Sequence, residues 1–219
     1  ISDSVNPTYV NVEGRGRVTV IPDLAVLTLG HTANAISVKL AQEVTTGTMN
    51  TMTKELKENF GIAPADLTTQ AYSISPQYVY ESSKVPRIAS YQVYQALSVK
   101  VRDMDKISAI LQKAAELGLN QVSGPQFTKE YPEQAVAEAR TKAIEQARKN
   151  AEQIADGLGM RLGRLNNYSE YPSDLNQFNK GEMALADGMG GGPAPVVAPT
   201  IDSGSYEIEL IVNFGYHLK

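Results

Sequence analysis

The stretch that decides the fold is Ala135-Val136-Ala137-Glu138-Ala139-Arg140-Thr141-Lys142-Ala143-Ile144-Glu145-Gln146-Ala147-Arg148-Lys149-Asn150-Ala151, continuing to Ala155 and Leu158. Alanine recurs at 135, 139, 143, 147, 151 and 155, every fourth residue. At about 100° per residue each step overshoots a turn by about 40°, so the row winds through about 200° of a helix surface. Val136, Ile144, Ile154 and Leu158 fall inside that arc, whereas Glu138, Lys142, Glu145, Lys149, Glu152 and Asp156 fall outside it. Pro132 stands where a first helical position belongs, and the helix is expected to run to about Leu158. Small side chains permit close approach over a broad face. The helix therefore either lies tightly on a sheet or is sandwiched between its own sheet and a second element, such as a neighbouring subunit. Arg140 projects at the middle of the arc. It needs a carboxylate or carbonyl partner, because a buried unpaired charge costs several kcal/mol, or it must snorkel to an edge.

Working outward, each helical segment ends in glycine followed by an apolar residue: Gly61-Ile62, Gly118-Leu119 and Gly159-Met160. Glycine takes the left-handed conformation just past a helix end, and the apolar residue folds back on the last turn. Residues 36–60 form a helix with a stripe through Ala41, Val44, Thr48 and Met52, whose centre Thr45-Thr46-Gly47-Thr48 needs tertiary packing or will kink. Asp103 caps a second helix with a stripe of Ile107, Ile110, Leu111, Ala114 and Leu117.

Period-two patterns supply the strands. Residues 9–35 read as a hairpin turning at Pro22-Asp23, with Gly14 and Gly16 bending its first strand. Tyr72, Ile74, Tyr78 and Tyr80 share one parity, Tyr91, Val93, Leu97, Val99 and Val101 another, and Lys84-Val85-Pro86-Arg87 joins the two runs as a long hairpin. Further strands fall at 121–128, near 162–170 and at 205–216, the last with Tyr206, Ile208, Leu210, Val212, Phe214 and Tyr216 facing one way. The order β-β-α-β-β-α-β-α-β-β defines an α+β fold, with mixed or antiparallel sheets packed by three helices. Residues 172–203, rich in Gly and Pro with Met183 and Met189, read as an insertion, functional or disordered. Residues 1–8 form a tail and 9–219 one domain.

Composition narrows the function. With 20 Lys+Arg against 24 Asp+Glu and no basic run, the chain lacks the electrostatic footprint of a nucleic-acid binder. Zero Cys removes disulfides, thiolate zinc sites and thiol nucleophiles. No apolar run reaches the roughly 18–20 residues of a membrane-spanning helix. The opening Ile1-Ser2-Asp3-Ser4 has neither initiator Met nor leader, as expected of a processed, exported protein or a trimmed chain.

Chemical motifs are scarce. Glu13-Gly14-Arg15-Gly16-Arg17-Val18-Thr19 opens like a dinucleotide fingerprint, but Thr19 replaces the third glycine and no helix follows. His31 and His217, the only histidines, lie on separate strands without acidic residues at metal-ligand spacing. No nucleophile elbow, zinc-protease motif or phosphate loop is present. Catalytic residues, metal and cofactor are therefore none. Five of the 11 tyrosines, Tyr72, Tyr78, Tyr80, Tyr91 and Tyr94, cluster on the long hairpin, as strand formers or as an interface.

Val12-Glu13-Gly14-Arg15-Gly16-Arg17-Val18 with Pro22-Asp23 resembles the opening of the SIMPL-domain family. Ile74-Ser75-Pro76-Gln77-Tyr78-Val79-Tyr80, Val99-Lys100-Val101-Arg102-Asp103, Leu119-Asn120-Gln121-Val122 and the helix from Ala137 to Gly159 with Leu162-Gly163 fit it too. The resemblance covers about residues 9–171 and 204–219. It implies export to the periplasm, an α+β fold, assembly into a hollow ring-stacked homo-oligomer as in one relative, and no established activity or cofactor.

The leading expectation is thus a non-enzymatic cell-envelope protein working as a homo-oligomer, ring- or channel-like, with peripheral association with the outer membrane. Its candidate interface comprises Tyr78, Tyr80, Tyr94, Arg140, Ala143, Ala147, Met189 and Tyr206. The alternative is a periplasmic binding module that captures a peptide, glycan or small apolar ligand in a cleft lined by Tyr78, Tyr80 or Tyr94. A third, an enzyme with a composite site, has no motif behind it.

Overall fold

The computed structural model describes residues 8–82, 84–173 and 198–219. Among these residues seven strands and three helices follow the expected order: β1 (Tyr9–Val20), β2 (Leu24–Ala35), α1 (Val38–Glu58), β3 (Leu67–Val79), β4 (Arg87–Val101), α2 (Ile107–Glu116), β5 (Gln121–Thr128), α3 (Glu133–Gly157), β6 (Leu162–Pro172) and β7 (Tyr206–Leu218). The fold is α+β. Both sheets are antiparallel, one ordered β1-β7-β6 and the other β3-β4-β2-β5. Two compact units result, one holding β1, α3, β6 and β7, the other β2, α1, β3, β4, α2 and β5.

All three helix ends close as their glycines require. Gly61, Gly118 and Gly159 have φ of 68°, 82° and 66°. The following amides of Ile62, Leu119 and Met160 reach back to the carbonyls of Leu56, Ala114 and Ala155 at 2.8–2.9 Å. At the start of α2, Asp103 accepts from the Asp105 amide and caps a short 3-10 turn, Met104–Lys106, that leads into the helix.

The unit built on β2 and β4 buries Leu27, Leu29, Val99 and Val101 against Met49, Met52 and Leu56 of α1 and Ile107 and Ile110 of α2. Helix α1 is continuous through its weak centre because Thr45 is inside the core: its hydroxyl donates to the Val93 carbonyl at 3.3 Å and lies 3.2 Å from His31 Nδ1. The buried stripe is Ala41, Thr45, Met49, Met52 and Leu56, rotated from the expected one, so that Val44 is exposed. A hydrogen-bonded threonine took the place that an apolar pattern assigned to valine.

In the other unit the row Ala139, Ala143, Ala147, Ala151 and Ala155 lies wholly buried on the β1–β7 face, against Val10, Val12, Ile208, Leu210, Val212 and Phe214. Two sequence expectations change here. β1 and β2 do not form a hairpin. β1 pairs with β7 from Tyr9↔His217 to Val20↔Tyr206 without a bulge, and β2 belongs to the second sheet. Gly14 and Gly16 do not bend β1 either. A Cβ on Gly14 would lie 2.1 Å from the Ala143 carbonyl oxygen, and one on Gly16 1.8 Å from that of Ala139. The glycines let helix backbone rest on strand backbone. Two strand residues advance about 6.8 Å and four helix residues about 6 Å, so alternate positions of β1 keep step with every fourth residue of α3. Ile154 and Leu158, placed inside the arc by wheel arithmetic, are instead exposed, because the sheet follows the alanine row.

Candidate functional site

The candidate interface residues are divided between the two compact units. Ala143 and Ala147 are spent inside their own chain under Gly14 and Gly16, with no surface left for a neighbour. The structure shows α3 lying on its own sheet, the element that both readings share. Tyr206 packs against the same core, and its hydroxyl accepts from the Lys129 amide at 3.2 Å. Met189, with most of the expected insertion, lies outside the described residues, as do residues 1–7 of the expected tail.

Arg140 found the partner that its position demanded. Its Nε and Nη2 donate to the two carboxylate oxygens of Glu170 on β6 at 2.7 and 3.0 Å, and the Tyr168 hydroxyl donates to the same carboxylate. These bonds, the arginine's first, hold the Glu170 carboxyl below its ordinary value, while burial first of all pushes the Tyr168 phenol up. The arginine is also partly solvent-exposed, so it pairs and snorkels at once.

On the opposite face of that sheet Glu209 is only 1% exposed. Burial pushes its carboxyl up, but the hydrogen bonds from Arg17 and Ser173 and the charges of Arg17 and Arg15 outweigh this, leaving it lowered. In the other unit, burial lowers the pKa of His31. The thiol-free, motif-poor sequence pointed to neither Glu209 nor the His31–Thr45 pair. A glutamate amid Ile208, Leu210, Ile211 and Val212 was the one available sign of the first.

The tyrosines divide by register. Tyr94 faces Ser73 across the β3–β4 ladder, whereas Tyr72 faces Gln95, and Tyr78 faces Ile88 after Ala89 adds an extra residue to β4. Alternation along β3 therefore puts Tyr72, Ile74, Pro76 and Tyr78 on one side and Tyr94 on the other. A cleft lined jointly by Tyr78 and Tyr94 does not form. Helix α1 rests on β2 and β4, and β3 is the sheet's edge, so Tyr72, Ile74 and Tyr78 stay open beyond it at 46%, 44% and 49%. Tyr80, just past the strand, is 76% exposed and tilts against Tyr78 with ring centroids 6.4 Å apart.

Among the described residues no group of three or more His, Cys, Asp or Glu side chains is placed to hold a metal ion, and no helix is long and apolar enough to cross a membrane. The fold and this surface define an antiparallel two-sheet α+β protein that presents an apolar edge stripe. The chain belongs to the SIMPL family, described as a protein of unknown function (DUF541), whose model matches residues 10–216. It is 34% identical over 173 residues to the 26 kDa periplasmic immunogenic protein of Brucella melitensis, covering 76% of this chain and 68% of that one. It is 26% identical over 203 residues to the uncharacterized protein YggE of Edwardsiella ictaluri, covering 93% and 82% of the two chains. With YggE of Escherichia coli K12 the identity is 24% over 212 residues, covering 96% and 83%.

Proposed function

We propose that this chain is a non-enzymatic periplasmic protein of the cell envelope that works as a homo-oligomer, with the open stripe of β3 as one of its interfaces. The relative named periplasmic supports the compartment. The family match across 10–216 spans both compact units and supports their acting as one SIMPL-type domain after a short tail. One observation carries the assembly: Tyr72, Ile74 and Tyr78 stand exposed on one side of an edge strand, with Tyr80 exposed just past its end. Contiguous exposed apolar surface of this kind marks interaction sites, and tyrosine suits a contact that is dry on its body and wet at its tip. A closed ring or channel-like assembly needs this stripe to meet a different patch on the next copy, a heterologous contact.

Light scattering on the purified chain tests this. The expected result is a particle of several subunits that Tyr78→Asp with Tyr80→Asp reduces to smaller species, with the circular dichroism of the parent. A strict monomer at tens of micromolar overturns it. The finer partner reading, a peripheral seat on the outer membrane, predicts co-sedimentation with outer-membrane vesicles; a protein left wholly in the supernatant removes it.

A further inference from the structure

Among the described residues, α3 packs on one face of the three-stranded sheet. On the other, register brings Asn11, Gly215 and Asn167 into one cross-strand row, with Asn213 one step along β7 and opposite Glu13. Three carboxamides from three strands thus surround one glycine. A Cβ at position 215 would fall 2.1 Å from Asn167 Oδ1 and 2.9 Å from Asn11 Oδ1, so the missing side chain is what lets both amides fold in over the strand. Among the described residues none of these three carboxamides has a protein hydrogen-bond partner. The asparagines, with Glu13, Val12 and Phe214, line a cavity of about 460 Å³. That is within the ordinary range of small-ligand sites, about 300–1,000 Å³.

The chemistry of the lining selects the occupant. Each carboxamide presents both a donor and an acceptor, the pattern needed by neighbouring hydroxyls, which also do both. The nearest charge is already matched, since Glu13 pairs with Arg15 at 2.7 Å, so the cavity favours a ligand without net charge. At its end Tyr9 and His217 pack with ring centroids 4.5 Å apart on this same face, an aromatic wall for the C–H side of a ring. We propose that the face of the β1–β7–β6 sheet away from α3 binds a sugar ring of a neutral glycan, its hydroxyls held by Asn11, Asn167 and Asn213. The site is separate from the β3 stripe and does not depend on the assembly proposed above.

Titrating the full chain, ¹⁵N-labelled, with chitotetraose and in parallel with maltotetraose tests the site, with trialanine as the comparison. One glycan is expected to shift the side-chain amide signals of Asn11, Asn167 and Asn213 saturably. Asn167→Ala, Asn213→Ala and Tyr9→Ala should each weaken it about tenfold, about 1.4 kcal/mol, with the parent's melting temperature. Three results overturn the proposal: no shift at these amides with either glycan at about 10 mM, shifts unaltered by the three variants, or a stronger response to trialanine.

Discussion

Gly14 and Gly16 show how much a single missing Cβ can decide. Neither has the positive φ that makes glycine obligatory for the backbone. The constraint comes from outside, from the α3 carbonyls that lie where a methyl group would be. A carbonyl fixed in a helix cannot move aside as a side chain can, so adding that methyl overpacks the interface. Gly16→Ala is expected to destabilise the unit by about 3 kcal/mol, read as a lower urea midpoint at unchanged slope. A parent-like midpoint would show that the helix simply lifts away. The pair was visible in the sequence, but beside Arg15 and Arg17 it read as a failed nucleotide motif. Its meaning depends on matching a two-residue repeat in one segment with a four-residue repeat about 130 residues later.

At the scale of the element, α3 carries three distinct contacts on one cylinder. The alanine row goes down onto the sheet, and Arg140 reaches sideways to β6. A polar row at the same four-residue spacing runs along the free edge of β1: Asn150 donates to the Glu13 carbonyl at 3.1 Å, the Arg15 amide donates to Gln146 Oε1 at 2.5 Å, and Lys142 donates to the Arg17 carbonyl at 3.3 Å. An open strand edge invites pairing with another chain, and covering it is one of the ways proteins suppress that. Gln146→Ala should therefore speed hydrogen exchange at the Arg15 amide by tenfold or more, about 1.4 kcal/mol of lost protection, and leave the β7-paired amides of β1 slow. Equal rates would mean that water or a neighbour already does the work. Arg140→Ala removes a partly exposed bidentate pair and should cost about 1 kcal/mol, seen as a small fall in melting temperature; Glu170→Gln should cost somewhat less, because the amide still accepts from Tyr168. The alanine period announced this helix and its buried face, and the wheel showed that Arg140 needed a partner. Glu170 was not legible, because nothing local links residue 140 to residue 170.

Across the whole molecule the same distinction holds between local and distant information. Helices, their caps and the long β3–β4 hairpin rest on neighbours in sequence and were legible. The pairing of β1 with β7 joins the two ends of the chain, and a reading that pairs adjacent strands places β1 against β2 instead. The division into two units separates their responses to acid. His31 belongs to the unit of β2 and α1, and its pKa is lowered from 6.5 in the folded state. The unfolded chain therefore binds the proton first. The stability that a neutral His31 contributes is complete above about pH 6.5 and drains away as the pH falls to the lower folded value. Glu170 and Glu209 belong to the other unit, with carboxyls lowered from 4.5. Their contribution is complete above about pH 4.5 and is lost only as the pH falls through their folded values. Hydrogen exchange followed from pH 7.5 down to 3.5 should show core amides at Leu27 and Val99 losing protection free energy before those at Val12 and Val212. His31→Gln, which keeps a donor for Thr45, should abolish the early phase and leave the late one. If both sets of amides weaken over the same pH range, or if His31→Gln leaves the early phase intact, the buried imidazole is not what sets the acid limit of its unit.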